Sequence, residues 1–213
     1  NSYQCKCVII ATGARHRPLG ADGENDLAGR GVSYCAVCDG GFYKNGVTAV
    51  VGGGDSALQE ALLLSDICKT VYLIHRRDTF RGDAERQARL FARENVKVLT
   101  PMEITALLTG DGSLRTLRLR NTVTGEESAL GVDCLFVSVG QQPELERFAA
   151  LVPLTAQGYA AVPETGETPV RGIFVAGDCR GKRVRQLATA VSDGANAALA
   201  ACRYLDGEEN QAP

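Results

Sequence analysis

The stretch VTAVVGGGDSALQEALLLSDI, Val47 to Ile67, constrains the chain more than any other part of it. A run of β-branched and small apolar residues enters three glycines. An Asp-Ser pair then opens a segment whose apolar residues, Ala57, Leu58, Ala61, Leu62 and Leu64, fall on one helical face. A second strand-like run, TVYLIHRR, follows. Strand, glycine turn, helix and strand make a βαβ unit, which obliges its two strands to lie parallel in one sheet. The turn GGGDSA fits G-x-G-x-x-A through Gly52, Gly54 and Ala57. Such a turn needs a tight bend at Gly52, backbone open to a pyrophosphate at Gly54, and a small residue at Ala57 where helix meets strand. Unpaired N–H groups at the helix start would then face the phosphates. Dinucleotide binding is the reading this context supports, with a plain glycine turn as the alternative.

The end of the second strand indicates which dinucleotide. An NAD site places an acidic residue there to accept the ribose hydroxyls. Here the positions hold His75, Arg76 and Arg77, with Arg81 four residues on. Guanidinium groups grip a 2′-phosphate with paired hydrogen bonds, so NADPH is expected. A solvated basic strand end is the alternative.

Upstream lies YCAVCDGG, with Cys35 and Cys38 two residues apart and Asp39 next to them. This spacing closes a small ring and is frequent in redox-active pairs, and Asp39 is placed to serve as a proton donor. Two other readings stay open: a zinc site completed by Cys5 and Cys7, and inert core cysteines. The chain has eight cysteines, and only this pair has redox spacing in a turn-like setting, so a secreted disulfide framework is not indicated.

The remaining sequence organises around this unit. CKCVIIATGA, Cys5 to Ala14, reads as a buried strand needing neighbours on both edges, and almost nothing precedes it. The expectation is a piece of a longer protein whose missing part is N-terminal. A second helix, DAERQARLFAREN, leads through VKVL to strand-like runs at EITALLT, LRTLRLR and VDCLFVSVG, a meander with one wet face. The texture changes near Gly140 to Pro143, and a strand GIFVAGD and a closing helix from about Gln186 to Leu205 end the pattern. With 23 basic against 25 acidic residues and no long cationic run, nucleic acid and anionic lipid are poor partners. No apolar run approaches the roughly 20 residues that cross a bilayer. There is also no signal-peptide pattern, and a cytoplasmic location is the default expectation.

Five motifs in order, ATG at 11–13, CAVCDG at 35–40, GGGDSA at 52–57, HRRDTFR at 75–81 and GIFVAGDCR at 172–180 with RQL at 185–187, resemble the bacterial low-molecular-weight thioredoxin reductases. The resemblance covers nearly the whole chain. It implies an α/β flavoenzyme and homodimer. A Rossmann-like NADPH-binding domain, a parallel sheet with a β-meander, would span residues 16–140, inserted into a second, incomplete Rossmann-like FAD domain represented by residues 1–15 and 141–213.

Carried over residue by residue, the resemblance makes Cys35 and Cys38 the redox disulfide, with Cys38 facing the flavin and Asp39 the acid. Gly52, Gly54, Asp55, Ser56 and Ala57 would line the pyrophosphate, and His75, Arg76, Arg77 and Arg81 the 2′-phosphate end. Thr12, Gly13, Gly177, Asp178, Arg185, Gln186 and Leu187 would contact FAD, with no metal. Leu187 stands where the family usually has Ala, and the N-terminal GxGxxG unit for the ADP half of FAD is not among these residues. The implied activity passes electrons from NADPH through FAD and the disulfide to thioredoxin. The rival readings are the flavoprotein reductase of a peroxiredoxin and an isolated NADP-binding module without catalysis.

Overall fold

The computed structural model describes residues 2–207. Two compact units emerge: His16–Gly140, and the segment ending at Arg15 together with that starting at Gln141. The chain opens with β1 (Val8–Ile10) and β2 (Ala14–His16). It continues through β3 (Val32–Ser33), α1 (Ala36–Asp39), β4 (Val47–Val51), α2 (Asp55–Ser65), β5 (Thr70–Ile74), α3 (Ala84–Phe91) and β6 (Val96–Leu99). Three strands follow, β7 (Met102–Gly110), β8 (Ser113–Asn121) and β9 (Glu127–Gly131), and then β10 (Cys134–Val137). The chain closes with β11 (Gln141–Pro143), β12 (Ile173–Val175) and α4 (Leu187–Asp206).

The His16–Gly140 unit has three layers. Its centre is a five-stranded sheet in the order β3-β10-β4-β5-β6, parallel throughout. Successive strand residues point to opposite faces, and the packing follows that period. Ala49, Val51, Leu135 and Val137 turn toward the antiparallel β7-β8-β9 meander, where they meet Ile104, Leu107, Leu114, Leu117 and Leu119. Val50, Val71, Leu73, Cys134 and Phe136 turn the other way and pack on Ala57, Leu58, Ala61 and Leu64 of α2 and Leu90 of α3. Burial on both faces explains why β4 and β10 read as continuous apolar runs.

One expectation is corrected here. VDCLFVSVG does not supply the third strand of the meander; Glu127–Gly131, mostly exposed, does so as an edge strand with little apolar content. β10 instead enters the middle of the parallel sheet, between β3 and β4. A run buried at all four positions has no wet face to present at a sheet edge. The wet face expected of LRTLRLR is present on β8, where Arg115, Arg118 and Arg120 are exposed.

In the other unit β1 and β12 pair in parallel, Val8 opposite Ile173 and Ile10 opposite Val175. The run from Cys5 to Ala14 is thus not one strand: β1 is three residues long, and Ala14 begins β2, which pairs with β11. The Arg15–His16 crossing falls within β2, and the Gly140–Gln141 crossing at the start of β11. Ile10, Val175, Leu145, Val152 and Ala160 form one apolar cluster, and Phe174 with Ala197, Ala200 and Ala201 of α4 another. Among the described residues no helix is long and apolar enough to cross a membrane.

Candidate active and nucleotide-binding site

In a parallel sheet all strand ends of one kind share an edge, and ligands gather at the carboxyl edge. Along that edge of the central sheet the chain leaves β3 toward Cys35, β10 toward Ser138, β4 toward Gly52 and β5 toward His75. Only β10 separates β3 from β4, so the strands that deliver Cys35 and Gly52 are two spacings, about 10 Å, apart.

The glycine turn is built by close approach. Gly52 sits at φ +155°, and a side chain there would run into the Ser138 carbonyl and the Ala57 methyl group. Ala57 is fully buried in that contact. At Gly54, by contrast, a Cβ would meet nothing within 4 Å, so the open space lies where a pyrophosphate would approach. The sequence reading missed Gly53, whose added Cβ would strike the His75 ring. A third consecutive glycine, beyond what the fingerprint requires, was the available signal. Asp55 draws the downstream loop onto the start of α2. One of its carboxylate oxygens accepts from the Asp83 N–H at 2.9 Å and from the Arg86 guanidinium at 2.8 Å. The Arg81 N–H donates to the Gly53 carbonyl at 2.7 Å, so loop and turn form one piece. Ser56 is exposed on the first turn of α2.

Arg76, Arg77 and Arg81 are all exposed, and among the described residues none of them is ion-paired. His75 differs from them in being buried. It is 8% exposed, stacks on Phe80 at 5.1 Å, and its Nε2 is buried without a hydrogen-bond partner. Burial lowers its pKa, and the Arg77, Arg76 and Arg81 charges add to this against the opposing hydrogen bond with the Thr79 backbone. His75 is thus a neutral ring beneath the turn rather than a fourth cation.

Cys35 and Cys38 are joined as a disulfide. Cys35 caps α1, with its Sγ accepting from the Cys38 N–H, and Cys38 is the more exposed of the two. The Ser33 hydroxyl donates to Asp39 at 2.6 Å and accepts from the Cys35 N–H at 3.1 Å, which fixes Asp39 beside the pair. Tyr34 donates to Glu24, and burial with that carboxylate pushes its pKa up to about 12. Cys5 and Cys202 are exposed free thiols; Cys68, Cys134 and Cys179 are buried. Among the described residues no group of three or more His, Cys, Asp or Glu side chains could hold a metal ion.

The remaining candidates lie in the other unit. Thr12 and Gly13 follow β1, and Gly177 and Asp178 follow β12, at the same edge of that strand pair. Gly13 and Gly177 adopt φ +71° and +81° with nothing near a Cβ, which leaves a cradle a bound group could fill. Arg185 stacks over Tyr159 at 3.8 Å and donates to the Asp178 carbonyl; Gln186 caps α4, and Leu187 is 82% exposed. A network missed in the sequence holds this loop. Asp193 of α4 receives Arg180 at 2.8 Å, Lys182 at 3.1 Å and the Gly177 N–H at 3.2 Å. Burial pushes the Asp193 pKa upward, but the Arg180 and Lys182 hydrogen bonds and charges outweigh it, so the net shift is downward.

Comparison with known proteins agrees with this arrangement. A sequence profile of the pyridine nucleotide-disulphide oxidoreductase family matches residues 1–194. The thioredoxin reductase of Listeria innocua is 43% identical over 96% of the chain, and that of Bacillus subtilis 42% over 96%. The chain spans about 64% and 65% of those two proteins. The crystal structure of thioredoxin reductase from Streptococcus pyogenes is 38% identical and superposes with a TM-score of 0.89, covering 95% of this chain and 66% of that one. Motif order, parallel-sheet architecture and these similarities converge: the chain belongs to the pyridine nucleotide-disulphide oxidoreductase family, where it groups with the bacterial low-molecular-weight thioredoxin reductases.

Proposed function

We propose that the chain works as part of an NADPH-dependent flavoprotein that reduces the disulfide of thioredoxin. The observation that carries this reading is the shared sheet edge: a Cys-x-x-Cys disulfide leaves β3 and a dinucleotide turn leaves β4, with only β10 between them. Gly52, Gly54, Asp55, Ser56 and Ala57 would seat the pyrophosphate. Arg76, Arg77 and Arg81 would hold the 2′-phosphate, with His75 supporting the turn from beneath. Thr12, Gly13, Gly177, Asp178, Arg185, Gln186 and Leu187 would hold FAD, and the open backbone at Gly13 and Gly177 fits that role. Bound flavin supplies a two-electron carrier between nicotinamide and sulfur.

Cys35 and Cys38 would take up two electrons as their S–S bond opens to one thiol and one thiolate, with Asp39, held by Ser33, delivering the proton to the leaving sulfur. The resulting thiolate would attack the thioredoxin disulfide, and exchange through a mixed disulfide would reduce it. Nicotinamide and disulfide each need near-contact with one flavin ring, so His16–Gly140 would swivel about its two chain crossings during turnover. The working unit would be a cytoplasmic homodimer.

The test is NADPH-dependent reduction of thioredoxin by the FAD-loaded full-length protein. Cys38→Ser is expected to abolish it, and NADH should be a poor donor. Thioredoxin reduction that survives loss of Cys38 would sink the proposal. A colourless protein that binds NADPH without turnover would favour the bare binding module.

A further inference from the structure

Glu60 lies on α2, one turn beyond the pyrophosphate turn, and the proposed function gives it no task. Its carboxylate accepts the Ser138 hydroxyl, a short contact across 78 positions of sequence, and interacts electrostatically with the backbone N–H of Ala36, which packs in one cluster with Ala57 and Ala61 of the same helix. Ala36 is the residue between the capping Cys35 and Val37, and Ser138 follows β10 just before the Gly140 crossing. One acid therefore touches the redox turn, the nucleotide helix and the strand leading out of the unit. Burial pushes its pKa upward, the two hydrogen bonds opposing this only in part.

The titratable groups on the surrounding elements do not neutralise it. Asp39 on α1 is engaged by Ser33. Tyr43 beyond α1 and Cys134 on β10 are both held neutral by burial. On its own helix Asp55 pairs with Arg86 of α3, while Glu85 and Arg89 of α3 are exposed. Cys35 and Cys38, with Asp39 as their acid, are the groups on these elements whose charge changes in the proposed reaction.

We propose that Glu60 is a positioning and proton-accepting residue for the Cys35–Cys38 couple, held for that purpose between the Ala36 N–H and the Ser138 hydroxyl. The inference rests on the redox reading of that pair. When a two-electron donor opens the disulfide, the S–S bond is replaced by one thiol and one thiolate, with one proton taken up at sulfur. The thiolate charge, on the turn whose Ala36 interacts with Glu60, draws a second proton onto its carboxylate. A carboxylate in this position also disfavours the thiolate, which keeps the thiol pKa up and makes the disulfide harder to reduce.

The test equilibrates the protein with dithiothreitol buffers across pH and maps alkylation at Cys35 and Cys38 by peptide mass. Glu60→Gln keeps the shape and removes the charge. It is expected to lower the apparent thiol pKa by about one unit and to favour reduction by roughly 3- to 10-fold at neutral pH. Ser138→Ala, which removes one donor and so favours the protonated acid, should shift both in the same direction by less. If the wild-type pair yields no reversible dithiol, the redox reading itself falls. If it does, and neither variant moves the alkylation profile or the equilibrium, the role of Glu60 is overturned while the redox reading stands.

Discussion

The imidazole of His75 occupies the space that a side chain on Gly53 would need. Turn and strand end are thereby locked together: the Gly53 carbonyl also accepts the Arg81 N–H, and Phe80 stacks on the ring. The glycine turn and the basic loop should move, and fail, as one piece.

Substitutions at neighbouring glycines should therefore separate stability from binding. Gly53→Ala must displace the His75 ring and is expected to cost about 1–3 kcal/mol in urea unfolding. Gly54→Ala meets no protein atom and lies in extended backbone, so its stability should stay within about 0.5 kcal/mol of wild type. NADPH affinity, followed by nucleotide fluorescence, should nevertheless fall at Gly54 if, as proposed, the pyrophosphate sits over it, because the methyl group would enter that space.

The three exposed guanidiniums should discriminate between coenzymes. Arg76→Ala, Arg77→Ala and Arg81→Ala are each expected to weaken NADPH binding by roughly 10-fold, about 1.4 kcal/mol, and leave NADH binding almost unchanged. Raising the salt concentration should narrow the difference. Equal losses for both coenzymes would show that these side chains do not grip the 2′-phosphate.

The buried His75 gives a signed pH dependence. Its folded pKa lies below the ordinary 6.5, chiefly through burial. Between those two values the unfolded chain binds the extra proton, so stability rises with pH through this window and is fully present above about 6.5. Denaturant midpoints measured from pH 5 to 8 should show that rise, and His75→Gln should flatten it.

Asp193 should be the most damaging single surface-hidden acid to lose. Arg180, Lys182 and Asp193 have side-chain exposures of 11%, 8% and 6%, so Asp193→Asn strands the buried Arg180 and leaves Lys182 with Asp178 alone. The expected cost is about 3–5 kcal/mol. Because the Asp193 pKa is depressed in the fold, its contribution is present above the unfolded carboxylate value and disappears as pH falls through the folded one. Thermal melts of wild type and variant should converge at low pH.

Thiol chemistry should divide the eight cysteines sharply. In denaturant six should react before reduction and eight after, since Cys35 and Cys38 are paired. In the native protein Cys5 and Cys202 should be alkylated first. Cys134, fully buried with its pKa pushed up to about 12, and Cys68 should resist. Rapid native labelling of Cys134 would contradict the packing of β10.

What the sequence by itself determined was local. The period of 3.6 over Ala57 to Leu64, the glycines before it, the arginines after TVYLI and the Cys-x-x-Cys spacing depend on residues a few positions apart, where backbone geometry links pattern to form directly. Tertiary structure decided what lies beside what. Inserting β10 between β3 and β4 brought Ser138 to Glu60, and the β5 end turned His75 inward beneath Gly53 while leaving three arginines in water. Asp193 became the hub of two buried cations only when α4 docked near the end of β12. Such contacts join positions up to 78 apart, and no periodicity carries that information. They arise because each face of a buried sheet and each hidden charge must find a partner, and only the closed fold determines which one is within reach.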